Sequence, residues 1–257
     1  MALSALRGAL GFLSRLPVGH SETAWDAFTA TPAAFPLAGY VVGALVAIPF
    51  LAAGVLPAPV VAGAYLAAVV VVTGVNHADG LADLGDAAVV HGDTAERREV
   101  MRDTTVGVGA VLTLGTALLG LGLGALAVAR LPLLTAVAVV LAAEVGAKLA
   151  MATLACLGTP SHEGFGSTML DGNEATDLVV PLLAAGPSAL LAFPATAVAS
   201  VASVAVAVSL NRWADRRLGG VGGDVFGAAN ELARVVALHA AVATWALTDW
   251  GVLAWTP

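Results

Sequence analysis

The amino-acid sequence predicts an all-α fold: a polytopic integral membrane bundle of about seven transmembrane helices, preceded by an N-terminal interfacial helix. The chain is 59% hydrophobic and only 11% charged, with a mean hydropathy of +0.91, whereas a soluble domain has roughly 25% charged residues. Apolar runs of about 20 residues, enough to cross a ~30 Å hydrocarbon layer as a helix, recur along the chain. These runs lack the two-residue alternation of a membrane β-barrel, so the spans are predicted to be helices.

The first element is a helix within residues 1–19, which we expect to lie in the membrane interface. Arg7 and Arg15 interrupt its apolar stretch, and no small-residue cleavage pattern follows, so it does not resemble a signal peptide. One helical face carries four leucines: Leu3, Leu6, Leu10 and Leu13. The segment is therefore predicted to be retained as an amphipathic helix.

Seven apolar runs follow and are predicted to cross the membrane. Short turns at Pro57-Ala58-Pro59 and Arg130-Leu131-Pro132 separate neighbouring antiparallel helices. Gly186-Pro187 and Phe193-Pro194 mark either a hairpin turn or kinks in one long helix. The predicted spans are residues 33–56, 58–75, 107–129, 131–157, 178–193, 195–210 and 226–247.

The basic residues predict the orientation, because arginine and lysine concentrate in short cytoplasmic loops. Only Arg130 lies in a loop on the opposite side. The protein is therefore predicted to lie in the cell membrane with its N-terminus on the cytoplasmic side. Loops 76–106, 158–177 and 211–225 are predicted to emerge on that same side. The arginines on this face are Arg7, Arg15, Arg97, Arg98, Arg102, Arg212, Arg216 and Arg217.

Composition excludes several classes of partner and of fold. The net charge is −7 and few basic residues lie outside the loops, so a nucleic-acid partner is not expected. The single cysteine excludes an intramolecular disulfide framework. The lipid bilayer is the expected environment, and the sequence leaves open whether copies of the chain form a homo-oligomer. The acidic bias fits a salt-adapted organism as well as a GC-rich genome.

Three aspartates follow the second apolar run in the stretch VNHADGLADLGDA. On a helix, Asp79, Asp83 and Asp86 have the spacing i, i+4 and i+7 and share one face, about 10 Å from first to last. Like charges at this spacing repel, so we expect them to share one or two divalent cations. Oxygen ligands favour Mg²⁺, Mn²⁺ or Ca²⁺. His77 is a candidate base or supporting partner. The alternative is a solvated acidic helix start.

The same loop continues with RREVMRDTTVGVGAV. Arg97, Arg98 and Arg102 place positive charge beside the acidic face, where they either bind phosphate or anchor the chain to the inner leaflet. Asp103 is a further candidate metal ligand. Thr104, followed by Thr105 and two glycines at a helix start, is a candidate anion-binding group.

Two charged residues lie in the middle of the fourth predicted span. Glu144 and Lys148 have the spacing i and i+4, and each charge costs roughly 2.5–3.5 kcal/mol at the centre of a membrane. They therefore either pair with each other for structural reasons or, in addition to pairing, line a cavity that binds substrate.

Two polar loops complete the candidate site. The loop after residue 157 contains His162, Glu163 and Gly164 and is predicted to be a lid or binding loop. The loop LGGVGGDVFGAANE contains four glycines before Asp224, with Asn230 at the start of the last span. Glycine-rich backbone entering a helix suits phosphate, although Asp224 would repel phosphate unless a metal lay between them.

These motifs resemble the cobalamin synthase family, the membrane-bound adenosylcobinamide-GDP ribazoletransferases. The resemblance rests on FPLAGYVVGAL, HADGLADLGDA, EVMRDTTVGVGAV, HEGFG and LGGVGGDVFGAANE, which occur in this order over most of the chain. The chain departs from the pattern at four positions: Ala87 replaces a glycine, MRDT replaces MKDS through Arg102 and Thr104, and Lys148 stands where an arginine is expected. The resemblance implies one membrane-embedded catalytic domain over residues 1–257.

The family joins adenosylcobinamide-GDP to α-ribazole or its 5′-phosphate, releases GMP and uses Mg²⁺. The resemblance implies a metal set, a catalytic set and a substrate-binding set. The expected metal ligands are Asp79, Asp83 and Asp86, with Asp103 and Asp224 as weaker candidates. The expected catalytic residues are His77, Asp83, Arg102 and Lys148. The expected substrate contacts are Arg102, Thr104, Glu144, Glu163, Gly164 and Asn230.

Two other functions also fit part of the sequence. A CDP-alcohol phosphotransferase of phospholipid synthesis also arranges aspartates on membrane helices, but its DGxxAR motif needs an arginine where this chain has Asp83. A cation or proton transporter would use Glu144, Lys148 and the acidic cluster, but it predicts charges on both sides of the bilayer, and here they gather on one face.

Overall fold

The computed structural model describes residues 2–19 and 21–249, and this part of the chain folds into α-helices and short 3₁₀ segments without a β-strand. The predicted all-α fold is confirmed. The helices are α1 (Ala2–Leu13), α2 (Glu22–Thr29), α3 (Ala34–Val46), α4 (Ala58–Thr73), α5 (Asn76–Val89), α6 (Thr94–Val100), α7 (Val108–Val128), α8 (Leu133–Leu157), α9 (Phe165–Leu170), α10 (Val179–Leu190), α11 (Ala195–Arg217) and α12 (Gly223–Asp249).

Within the described residues, five helical stretches are long and apolar enough to cross a membrane: Ala34–Ala52, Val108–Val128, Leu133–Leu157, Ala195–Arg217 and Gly223–Thr248. Each overlaps a predicted span. The chain is therefore a multi-pass membrane protein. Proline and glycine set several of the boundaries: α4 begins after Pro57, α8 begins after Pro132, and α11 ends before Gly219, whose φ is +70°.

The second predicted span, 58–75, differs from the structure at its end. The chain turns by 98° between α4 and α5, and the turn falls at Gly74, whose φ of +73° is unfavourable for other residues. The pair counts as a sixth span only if α4 and α5 are taken together. After the bend, α5 lies across the N-terminal ends of α7 and α12, outside the five spanning helices.

The predicted span 178–193 is one of the two shortest of the seven, with 16 residues. The structure forms only a 3₁₀ turn at Ala175–Leu178 followed by the 12-residue α10. Together these 16 residues reach less than the ~30 Å of a hydrocarbon layer. Pro187 lies inside α10, whereas Pro194 lies between α10 and α11. The Phe193-Pro194 pair thus separates two helices, whereas Gly186-Pro187 lies within one of them.

The bundle is built around α8 and α12, the most deeply buried of the spanning helices, while α7 and α11 expose most of their surface. Large aliphatic side chains on the outer helices, such as Val71, Leu119 and Val201, are exposed. A soluble protein rarely exposes so many large apolar residues, and in a bilayer they face lipid.

The N-terminal segment is helical, as predicted, and packs on α2 and α3. Its buried face is formed by Ala5, Ala9 and Leu13, whereas Leu3 is 84% exposed. The leucine face predicted from spacing is therefore only partly the packing face, and α2 approaches α1 closely at Gly8, where an added Cβ would overlap the carbonyl oxygen of Ala24. That α1 lies in a membrane interface stays a prediction.

Candidate functional site

The three loops predicted to share one face meet at one end of the bundle. Arg98 of α6 joins two of them: its Nε donates to the carbonyl of Leu218 at 2.8 Å and its Nη2 donates to the carbonyl of Ser161 at 3.0 Å. The backbone of Val221 also donates to the carbonyl of Thr159 at 2.7 Å. The prediction that these loops lie together is confirmed.

Glycines fix α5 against two spanning helices at this end. A Cβ added to Gly80 would lie 2.8 Å from the Cα of Asp224 at the start of α12, and one added to Gly227 would lie 2.9 Å from the carbonyl oxygen of His77. Gly85 makes an equally close contact with Gly109 at the start of α7. The glycines in DGLADLG therefore let α5 touch both helix starts backbone to backbone.

We expect Gly80→Ala to lower the free energy of unfolding by about 1–3 kcal/mol and to reduce activity, because the added methyl would push α5 away from Asp224. Thermal unfolding in detergent measures the first effect and a turnover assay the second. Gly63→Ala on α4 is the matched control, since an added Cβ there has no neighbour within 4 Å. Equal stability and activity in the two variants would show that the contact is not needed.

Three carboxylates face the polar end of this junction. Asp79 is exposed, and Asp83 and Asp224 are partly buried. Within residues 2–19 and 21–249, none of the three carboxylates accepts a hydrogen bond or forms an ion pair. Burial, followed by the nearby charges of Asp224, Asp79 and Asp86, raises the pKa of Asp83 to about 6. These acids therefore repel one another, and a bound cation would relieve that repulsion.

Two other predicted metal ligands have local structural roles. Both carboxylate oxygens of Asp86 accept backbone N–H groups at the start of α7, from Gly107 at 2.8 Å and from Ala110 at 2.9 Å. Asp86 therefore caps α7 from a neighbouring helix. Asp103 accepts the side-chain and backbone hydrogen bonds of Thr105, which lower its pKa. The structure thus uses Asp86 and Asp103 to shape the loop after α5.

A small cleft of about 70 Å³ lies beside Asp224 and opens to solvent. Arg102 lines it, as predicted for a phosphate-binding residue, together with Arg98 and Asp224. His162 also lines it, and its Nδ1 lies 2.7 Å from the Oγ of Ser161. Thr104, Glu163 and Gly164 are exposed in the adjoining loops. The two arginines therefore line the same cleft as Asp224, one of the three aspartates.

Glu144 and Lys148 lie elsewhere, in a cluster of ion pairs inside the bundle. The Nζ of Lys148 donates to Oε2 of Glu144 at 2.9 Å, and Nε of Arg234 on α12 bonds to Oε1 of Glu144. Nη1 of Arg234 also donates to Oε2 of Glu231 at 2.6 Å. Lys148, Glu144 and Arg234 have fully buried side chains. Glu144 thus pairs with both Lys148 and Arg234, as the spacing predicted for Lys148. Neither Lys148 nor Glu144 lines the cleft, so the predicted lining of a cavity is not observed there.

His77 and Asn230 are also buried below the carboxylates. His77, a predicted catalytic base, is 6% exposed, and its ring packs edge to face against the ring of Phe12. Asn230 is fully buried, and its Nδ2 donates to Oε1 of Glu231 at 2.9 Å. Neither residue lines the cleft. The structure thus brings together Asp79, Asp83, Asp224 and Arg102, and places His77 and Asn230 beneath them.

Several residues of this end were not predicted as site residues. Arg98 was recognised only as positive charge, because its carbonyl partners lie 63 and 120 residues away in sequence. Glu231 and Arg234 were not among the predicted site residues; the carboxylate that pairs with Arg234, Glu144, lies on another helix 90 residues away. The spacing of Asp224, Glu231 and Arg234 at i, i+7 and i+10 was the available signal that one face of α12 is polar.

The carboxylates of Asp79, Asp83 and Asp224 and the arginines of the cleft suit a magnesium ion that binds together with a phosphate-bearing ligand. In the described part of the chain, no three His, Cys, Asp or Glu side chains converge into a complete metal cage. Mg²⁺ rarely uses such a cage, because one or two carboxylates, water and substrate phosphate complete its octahedron. Asp79, Asp83 and Asp224, which have no partners among the described residues, and the arginines that line the cleft offer the carboxylates and positive charge that this mode needs. Such an arrangement is suited to phosphoryl transfer.

Comparison with known proteins identifies the family. A family model described as Cobalamin-5-phosphate synthase matches residues 5–242. The adenosylcobinamide-GDP ribazoletransferase of Halorubrum lacusprofundi is 49% identical over 257 residues, covering 95% of this chain and 99% of the relative. The corresponding proteins of Haloquadratum walsbyi and Methanococcoides burtonii are 44% and 32% identical, covering 96% and 99% of this chain and 100% and 98% of the relatives. No solved structure matches the chain significantly. The chain therefore belongs to the cobalamin-5-phosphate synthase family of membrane transferases.

Proposed function

We propose that this protein joins adenosylcobinamide-GDP to α-ribazole or its 5′-phosphate and releases GMP, in a reaction that depends on Mg²⁺. Membership of the family makes the chain an enzyme of cobalamin synthesis. The observation that carries the more detailed proposal is the group of unpaired carboxylates Asp79, Asp83 and Asp224 beside Arg98 and Arg102. A diphosphate needs this combination of cation-binding and anion-binding groups.

The cleft supports the reaction mainly by positioning and by neutralising charge. Asp83 and Asp224, with Asp79 nearby, would hold Mg²⁺, which when bound neutralises oxygens of the diphosphate. Arg102 in the cleft and Thr104 beside it would bind the same phosphates through charged and hydroxyl hydrogen bonds. Glu163 and Gly164 in the adjoining loop would contact the corrinoid or ribazole.

The chemistry requires one bond to form and one to break. The oxygen of a ribazole hydroxyl bonds to the phosphorus attached to the cobinamide, the bridge of the diphosphate breaks, and GMP leaves with its electron pair. The hydroxyl proton passes to a carboxylate and then to water.

We further propose that the site faces the cytoplasm from the cell membrane. Eight of the ten arginines lie in the N-terminal segment or in the loops at the end of the bundle that forms the cleft, which is the distribution of a cytoplasmic face. The substrates then reach the cleft without crossing the membrane.

The direct test is an assay of the purified protein in detergent or liposomes with adenosylcobinamide-GDP, α-ribazole and Mg²⁺. We expect release of GMP and formation of the cobalamin, both abolished by chelation with EDTA and restored by added Mg²⁺. Matched reactions contain CDP-activated alcohols in place of the corrinoid, or measure ion flux. Activity only in those reactions would contradict the proposed function. Turnover that is insensitive to chelation would contradict its dependence on Mg²⁺.

A further inference from the structure

Beneath the carboxylates lies a second polar group of residues, His77, Asn230 and Glu231, which we call the inner niche. Across residues 2–19 and 21–249, neither ring nitrogen of His77 has a hydrogen-bond partner, and the same is true of Oδ1 of Asn230. All three atoms are buried. The carboxylate-bearing side chain of Glu231 is 15% exposed. The niche therefore combines a partly accessible acid with buried polar atoms that lack partners.

The members of the niche come together from α5 and α12. Gly227 of α12 touches the backbone of His77, and Glu231 follows one turn later on the same face. Nδ2 of Asn230 donates to Oε1 of Glu231 at 2.9 Å. Arg234, itself paired with Glu144, holds the other oxygen of Glu231. Glu231 is therefore fixed in place, while the ring nitrogens of His77 and Oδ1 of Asn230 have no partner among the described residues.

Buried polar atoms almost always find a partner, in the protein, in water or in a ligand. Here the unpaired atoms are one amide oxygen, which accepts, and an imidazole, which in its neutral form donates from one nitrogen and accepts at the other. Glu231 adds a negative acceptor. A phosphate offers only acceptors and negative charge, so it does not suit the niche. A hydroxyl group both donates and accepts, and a pair of hydroxyls matches this set.

The niche also lies close to the proposed reaction centre. His77 precedes Asp79 by two residues on α5, and Glu231 lies about 10 Å along α12 from Asp224. In the proposed reaction the attacking hydroxyl is part of a ribosyl group, so the other hydroxyls of that group must be held nearby.

We propose that the inner niche binds the ribosyl hydroxyls of a nucleoside substrate. This inference rests on the proposed function, which supplies two sources of such hydroxyls: α-ribazole and the guanosine half of adenosylcobinamide-GDP. His77 and Asn230 are then substrate-binding residues, and Glu231 is one that the sequence analysis did not include.

The test compares ribosyl and deoxyribosyl ligands on two variants. Dissociation constants are measured for α-ribazole and its 2′-deoxy analogue, and for GMP and dGMP, with the full-length protein in detergent. We expect wild type to prefer one ribosyl ligand over its deoxy analogue by about tenfold, and Asn230→Leu to abolish that preference. Asn211→Leu is the matched control: its Oδ1 is also buried without a partner among the described residues, but it lies on α11.

The outcomes distinguish α-ribazole from guanosine as the source of the hydroxyls. They also distinguish a failure of the inner niche from a failure of the proposed function. Loss of preference for α-ribazole supports the niche as the ribazole site, and loss of preference for GMP supports it as the guanosine site. An unchanged preference in Asn230→Leu, with wild type still turning over, overturns the niche and leaves the proposed function intact. Wild type that binds neither nucleoside rejects both. If Asn230→Leu does not fold, Asn230→Ser is measured in the same way.

Discussion

Asp83→Asn is expected to lower turnover by about 10²–10⁴-fold, the usual cost of removing a group that acts on proton transfer or charge at the reacting atoms. The substitution keeps the size of the side chain and removes its charge and basicity. Stability should not fall, because the raised pKa of Asp83 shows that its charge is unfavourable in the folded protein at neutral pH. Steady-state GMP release, together with size-exclusion chromatography, measures both quantities.

Asp26→Asn is the control for this variant, because Asp26 is an exposed aspartate on α2, outside the cleft. We expect it to keep wild-type turnover. Normal turnover by Asp83→Asn would refute the assignment of the carboxylate site, even though the family would stand.

The second large effect is on stability. Glu144→Gln should lower the free energy of unfolding by about 3–5 kcal/mol, because it removes the carboxylate shared by Lys148 and Arg234 and leaves an uncompensated positive charge inside the bundle. The lost pairing cannot be replaced by water, since both cationic side chains are fully buried. Thermal or denaturant unfolding of the detergent-solubilised protein measures the loss.

The double variant Glu144→Gln/Lys148→Met tests whether charge balance is the cause. It leaves Arg234 paired with Glu231 and removes the surplus charge, so we expect it to recover most of the lost stability and to keep turnover. A double variant that is stable but inactive would instead support the sequence-based prediction that Lys148 or Glu144 contacts substrate.

The sequence predicted the parts of this architecture that depend on local pattern. The apolar runs predicted the long helices, and the positions of the arginines predicted that loops 76–106, 158–177 and 211–225 lie at one end. The i, i+4, i+7 spacing placed Asp79, Asp83 and Asp86 on one helix, α5, as observed. Each of these inferences needs only residues close in sequence or a count of charges.

Features that depend on distant partners were not predicted. The apolar run before Gly74 gives no sign that the chain turns by 98° there, because hydropathy does not report direction. Asp86 looked like a third metal ligand, but its partners Gly107 and Ala110 lie 21 and 24 residues away. Lys148 had a visible partner at i−4, whereas Arg234, the second cation on Glu144, lies 90 residues away.

We propose that Asp83 and Asp224, from α5 and α12, hold a divalent cation against a diphosphate. The measurement that decides this is Mn²⁺ binding followed by electron paramagnetic resonance, in the presence of adenosylcobinamide-GDP. We expect Asp83→Asn and Asp224→Asn each to weaken Mn²⁺ binding at least about tenfold, and Asp26→Asn to match wild type. Equal Mn²⁺ affinity in all four proteins would rule out this metal site.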